Sequence, residues 1–161
     1  MSAETTTEHA NRHELRVAYE RHSASLLKLA VLLSTRQSDG EDLVQDVFVS
    51  AADRIPALPE EAWLPYLRAA VVNRWKNRRR RDALERAFRP DPSSPPPTVD
   101  DDLAMWDAIS RLPTRQRACL VLRYYQDLSV EDTASLLGCS AGTVKSQTSR
   151  ALDHLSQEWN A

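Results

Sequence analysis

"LGCSAGTVKSQTSRAL", residues 137–152, holds the local pattern that decides the fold. Ala134 and Gly138 stand four positions apart. The alanine leaves room for a second helix to cross, and the glycine can take the positive φ that ends a helix. Ser140 follows as an N-cap, and Val144 falls where the new helix should face a core. A small residue, a glycine turn, a cap and an inward β-branched residue are what a helix–turn–helix needs. At 100° per residue, Val144, Thr148, Ala151, Leu152 and Leu155 gather on one side. Gly142, Ser146 and Ser149 face the other way, flanked by Thr143, Lys145 and Arg150. A small polar face edged by cations can lie close in a DNA major groove, with the cations reaching phosphates or guanine edges.

Outward from this stretch the chain reads as helix throughout. Three glycines in 161 residues, 42% hydrophobic residues and plentiful Ala, Leu and Arg favour helices around a core. Alternating β-branched runs bounded by hairpin turns are missing from the sequence, so the expected class is all-α. "RPDPSSPPPTVDDD" carries five of the nine prolines. Fixed φ angles and missing amide donors make this an extended linker. The expected organisation is a disordered tail over 1–10, a helical module over 11–88, a Pro-rich linker over 89–100 and a helix–turn–helix module over 101–158.

In the first module, Leu15, Tyr19, Leu26, Leu29, Ala30 and Leu33 suit one or two packed helices. "GEDLVQDVFVSAADRI" puts Leu43, Val44, Val47, Phe48, Ala51 and Ile55 on one stripe, with Asp42, Gln45, Asp46, Val49 and Asp53 opposite. "PALPEEAW" interrupts the pattern, and helix resumes at "LPYLRAAVVNRWKNRRRR" with Pro65 in its first turn. In the second module Pro113 and Ser129 mark helix starts, which gives four helices on short links.

The net charge of −2 conceals strong segregation. Tyr66 to Arg81 holds seven cations and no acid, whereas Asp39 to Arg54 holds five acids and one cation. In the basic helix, Arg74, Lys76, Arg78 and Arg79 can track phosphates and Asn73 and Asn77 can meet base edges, with Trp75 assigned to the core. The second module is different. Residues 101–161 carry six cations and eight acids. Non-specific DNA affinity comes largely from neutralised phosphates, so this helix–turn–helix should bind weakly by itself.

Cys119 and Cys139 lie twenty positions apart without a CxxC motif, which argues against a disulfide framework or a zinc site and fits a reducing cytoplasm. His9 and His13 have ligand spacing but sit in a polar tail, and no metal or other cofactor is expected. No apolar run is long enough to span a bilayer. GxSxG, phosphate-cradling glycine loops and catalytic His, Cys or carboxylate clusters are all missing, so no enzyme and no catalytic residue is expected.

Taken in order, these segments resemble the extracytoplasmic-function sigma factors of bacterial RNA polymerase, which keep only the second and fourth sigma regions. The likeness covers about residues 13–158. "GEDLVQDVF" is similar to the family's "AEDLVQ-(D/E)-x-F" stretch, which implies that Asp42, Gln45, Asp46 and Val49 dock on the polymerase β′ clamp helices. "YLRAAVVNRWKNRRRR" resembles the helix that opens and reads the minus-10 element, implying roles for Asn73, Arg74, Lys76, Asn77, Arg78 and Arg79. "LPTRQRACLVLRYYQDLSVEDTASLLGCSAGTVKSQTSRALDHL" resembles the region that reads the minus-35 element and touches the β flap. The resemblance implies minus-35 contacts from Ser140, Ala141, Thr143, Lys145, Ser146, Gln147, Ser149 and Arg150. It also implies an anti-sigma partner, while the missing apolar span leads to an expectation of no membrane partner. Two departures stand out: Asp132-Thr133-Ala134 replaces the usual Glu-Ile-Ala, and Gln147 stands where many members have Arg. The rival reading is a stand-alone helix–turn–helix regulator, which would need neither the acidic stripe nor the basic helix.

Overall fold

The computed structural model describes residues 2–86 and 103–161, and among them every regular element is helical. Helices α1 (Ser2–Ser34), α2 (Gln37–Ala51) and α3 (Glu60–Arg86) form the first module. Helices α4 (Leu103–Arg111), α5 (Thr114–Leu120), α6 (Val130–Leu137) and α7 (Ala141–Asn160) form the second. The Pro-rich segment 89–100 lies outside the described residues.

Apolar spacing builds the first core as read. Leu26, Leu29, Ala30 and Leu33 of α1 meet Leu43, Val47 and Ala51 of α2, all essentially sealed from solvent. The α1–α2 approach depends on Gly40, where a Cβ would lie 2.4 Å from Val31 Cγ2 and 2.8 Å from the Val31 backbone nitrogen. Trp63 secures the next join. Its indole nitrogen donates to the Ile55 and Leu58 carbonyls at 3.0 and 3.2 Å, tying α3 to the 3₁₀ turn Ile55–Ala57.

Four expectations need correction. Residues 2–10 are helical rather than disordered, and they continue α1 as an exposed extension. The Glu8–Arg12 pair at 3.6 Å lies along it, and adding turns to a helix nucleated by a core costs little. Pro65 lies inside α3 rather than in its first turn, because the helix already starts at Glu60 with Glu60 and Glu61 at its positive end. Leu152 is exposed, since Val144, Thr148 and Ala151 already fill the side of α7 that packs. Tyr19 is also half-exposed, although its ring still meets Phe48 edge-on at 5.0 Å.

The second module follows the turn chemistry of its sequence. Pro113 stands at the N-cap of α5. Ser129 accepts from the Asp132 amide at 3.0 Å and starts α6. Between them α5 loosens into a π turn over Val121–Tyr125, and Asp127 takes a φ of 51°. The two modules pack together, and Trp106, Ile109, Leu112 and Leu120–Leu122 join the same hydrophobic cluster as α1–α3.

Gly40→Ala is expected to lose about 1–3 kcal/mol of stability, because the clash is with backbone that cannot move aside. Thermal unfolding followed by circular dichroism checks it.

Candidate nucleic-acid interface

The helix–turn–helix forms as its residues dictate. Gly138 adopts φ 68°, and the Gly138 and Cys139 amides both donate to Ala134 O, the latter at 3.1 Å. Ser140 Oγ accepts from the Thr143 amide at 3.1 Å and pairs with Thr143 Oγ1 at 2.9 Å. Val144 is fully buried against Cys119 and Ala134, which fixes how α7 crosses α6. Thr148 returns its hydroxyl to Val144 O at 2.7 Å and stays inside.

The minus-35 candidates then divide. Ser140, Lys145, Ser146, Ser149 and Arg150 are exposed, on a face with Gly142. Ala141, Thr143 and Gln147 are half-buried, with Thr143 and Gln147 turned toward the first module. Gln147 therefore lines an inter-module cleft.

Helix α3 carries the minus-10 candidates. Asn73, Asn77 and Arg79 are exposed, while Arg74, Lys76 and Arg78 are half-buried. Trp75 is only 5% exposed and serves the core, with the Arg79 guanidinium 5.5 Å from its ring centre. Arg68, from the same cationic run, points elsewhere: its Nε donates to Gln126 Oε1 at 3.0 Å. Burial first lowers the Arg68 pKa from its ordinary value, while Asp132 opposes that shift.

On α2, Asp42, Gln45, Asp46 and Val49 share one exposed face, and Val49 is 73% exposed despite being apolar. Asp46 Oδ2 accepts from Arg78 Nη2 at 2.7 Å, a bond that joins the acidic stripe directly to the basic helix. Nothing in the sequence spacing announces that pair, since the two residues come from different helices.

The two basic surfaces converge. A cleft of about 370 Å³ is lined by Trp75, Lys76, Arg79 and Arg80 from α3 and by Arg115, Thr143 and Gln147 from the second module. Its lining includes four cations and no acid. Arg80 and Arg115 were not among the contacts named from sequence. Arg115 sits alone between Thr114 and Gln116, so only its place in the fold reveals it.

Sigma-70 region 2 matches residues 18–85, and sigma-70 region 4 matches residues 102–155. The chain is 33% identical over 140 residues to the RNA polymerase sigma-E factor of Streptomyces avermitilis, covering 83% of this chain and 78% of that one. It is 32% identical over 152 residues to the ECF RNA polymerase sigma factor SigM of Mycobacterium tuberculosis, covering 91% and 78%. The chain belongs to the extracytoplasmic-function sigma factors. Solved structures share the fold. The sigma factor RpoE of Bartonella quintana, determined with the anti-sigma factor NepR, matches with a TM-score of 0.71 at 24% identity over 93% of this chain and 96% of that one. CnrH, determined with the cytosolic domain of CnrY, matches at 0.58 and 23% identity over 94% and 97%. As a sigma factor the chain directs transcription initiation, and the reading as a stand-alone regulator is set aside. No helix among the described residues is long and apolar enough to cross a membrane.

Gly138→Ala should cost the sigma factor about 1–2 kcal/mol, the strain of a left-handed residue bearing a Cβ. Urea unfolding should show a lower midpoint with an unchanged slope.

Proposed function

We propose that the sigma factor divides its work among three surfaces. Asp42, Gln45, Asp46 and Val49 dock on the β′ clamp helices of core polymerase. Asn73, Arg74, Lys76, Asn77, Arg78 and Arg79 engage an opened minus-10 element. Ser140, Ala141, Thr143, Lys145, Ser146, Gln147, Ser149 and Arg150 meet duplex at minus-35, and the second module also touches the β flap. The observation that carries this reading is the exposed α2 stripe. Four outward residues, one of them a solvated valine, have no use in the core, beside a basic helix whose residues suit nucleic acid.

The energetics favour a shared task. Lys145 and Arg150 are the cations of the exposed α7 face, so few phosphates can be neutralised there. Docking on polymerase raises the effective concentration of each DNA reader near its own element. One good bidentate base contact adds about 1–3 kcal/mol of discrimination. The chain itself performs no bond chemistry, because the polymerase makes the RNA, and it works in the cytoplasm where polymerase and chromosome are. One structural neighbour was determined with an anti-sigma factor, which supports an anti-sigma protein as a partner here.

Asp42→Arg and Val49→Asp are expected to abolish co-purification with core polymerase while shifting stability by no more than about 0.5 kcal/mol. Retention of normal co-purification would contradict the docking surface. Lys145→Ala and Arg150→Ala should each reduce transcription in vitro about tenfold from promoters with a minus-35 element. Mapping of RNA 5′ ends from a genomic fragment library, with core polymerase and each variant, supplies the readout.

A further inference from the structure

The cleft that α3 and the second module line has the volume and chemistry of a small-molecule site. At about 370 Å³ it falls at the small end of the range for ligand pockets, roughly 300–1,000 Å³, which suits a molecule of mononucleotide size and excludes a duplex. Lys76, Arg79 and Arg80 enter it from α3, and Arg115 enters it from the first turn of α5. Like charges gathered without an acid among the described lining residues repel one another, and a bound anion relieves that cost. The repulsion reaches Arg117, whose pKa is lowered to about 10 by burial first and by the charge of Arg79 second. Arg117 itself is not offered to a ligand, since it donates to Leu112 O at 2.9 Å and to Leu33 O at 3.0 Å. Lys76 gives one proton to Leu136 O at 3.1 Å, which leaves the rest of its ammonium for the cleft.

Two features narrow the ligand. Guanidinium forks match phosphate oxygens in pairs, and a phosphate group carries about −1.5 to −2 charges, so two phosphates balance the four cations best. The remaining lining is of another kind. Trp75, Ala118 and Leu137 supply an apolar side, and Thr143 and Gln147 add a hydroxyl and an amide. A flat ring with hydrogen-bonding edges fits that mixture. We propose that the cleft binds a nucleotide carrying at least two phosphates, with the phosphates on Lys76, Arg79, Arg80 and Arg115 and the base against Trp75 and Leu137 beside Gln147. Lys76 and Arg79 are shared with the minus-10 assignment, whereas Arg80 and Arg115 are not, so the site does not rest on that assignment.

The test is isothermal titration calorimetry of the full chain at about 0.15 M salt, with ADP and GDP as probes and AMP and inorganic pyrophosphate as partial ligands. ADP or GDP should bind one per chain, about tenfold more tightly than AMP, which lacks the second phosphate, and than pyrophosphate, which lacks the base. Arg80→Gln and Arg115→Gln, one from each module, should each weaken binding about tenfold. Arg81→Gln, an exposed neighbour outside the lining, should leave it unchanged. Gln147→Glu should weaken binding and Gln147→Arg should strengthen it, as an acid or a further cation enters the cleft. Circular dichroism shows whether each variant keeps its helices, and the Gln147 pair decides if an arginine variant does not. The site is overturned if neither nucleotide binds, if pyrophosphate binds as tightly as ADP and GDP, or if Arg81→Gln loses as much as Arg80→Gln. Binding confined to a short single-stranded oligonucleotide, with no response to ADP or GDP, would leave the cleft to DNA and overturn it as well.

Discussion

A buried guanidinium holds the arrangement together. Arg117 lies among apolar side chains, and its hydrogen-bond partners among the described residues are two backbone carbonyls. Removing a charge from water is expensive unless its donors are met. Burial first, and the like charge of Arg79 second, push its pKa down to about 10. It remains charged at neutral pH. Because the carbonyls come from the ends of α1 and α4, one side chain fixes both helix ends against α5 and so sets how the modules meet.

From that join the other features follow. With α5 held on α1, the π turn lies against α1, Gln126 just past it meets Arg68 of α3, and α6 lies where Lys76 can reach the Leu136 carbonyl. The outer face of α7 stays exposed while Thr143 and Gln147 turn inward. A sigma factor assembled this way has its acidic α2 stripe exposed and its cationic helix α3 partly engaged by the second module. Asp46 adds a second coupling, since a residue of the proposed docking stripe is also the partner of Arg78 on the basic helix α3.

Legibility in the sequence followed the range of the interaction. The helix–turn–helix could be read because its determinants are local: a glycine for positive φ, two serine caps and an inward valine within a short stretch. The α2 stripe was legible for the same reason, as period 3.6 alone separates Val47 from Asp46. The helical start of α1 was missed because a polar segment shows no apolar face, and its helix is inherited from the packed turns that follow. Gly40 passed unnoticed, since only the approach of Val31 gives its missing side chain a purpose. The contacts of Gln126, Arg68 and Lys76 have no local signature, because their partners lie 58 to 101 positions away.

The central claim is that neither DNA surface suffices alone and that polymerase makes recognition effective by presenting both. The most direct measurement compares promoter-duplex affinity of the free chain with that of the chain on core polymerase, at about 0.15 M salt. The account predicts weak, poorly selective binding by the free chain and a gain of at least a hundredfold on the enzyme, with selectivity for both elements. Tight, selective binding by the free chain, unchanged when polymerase is added, would contradict it.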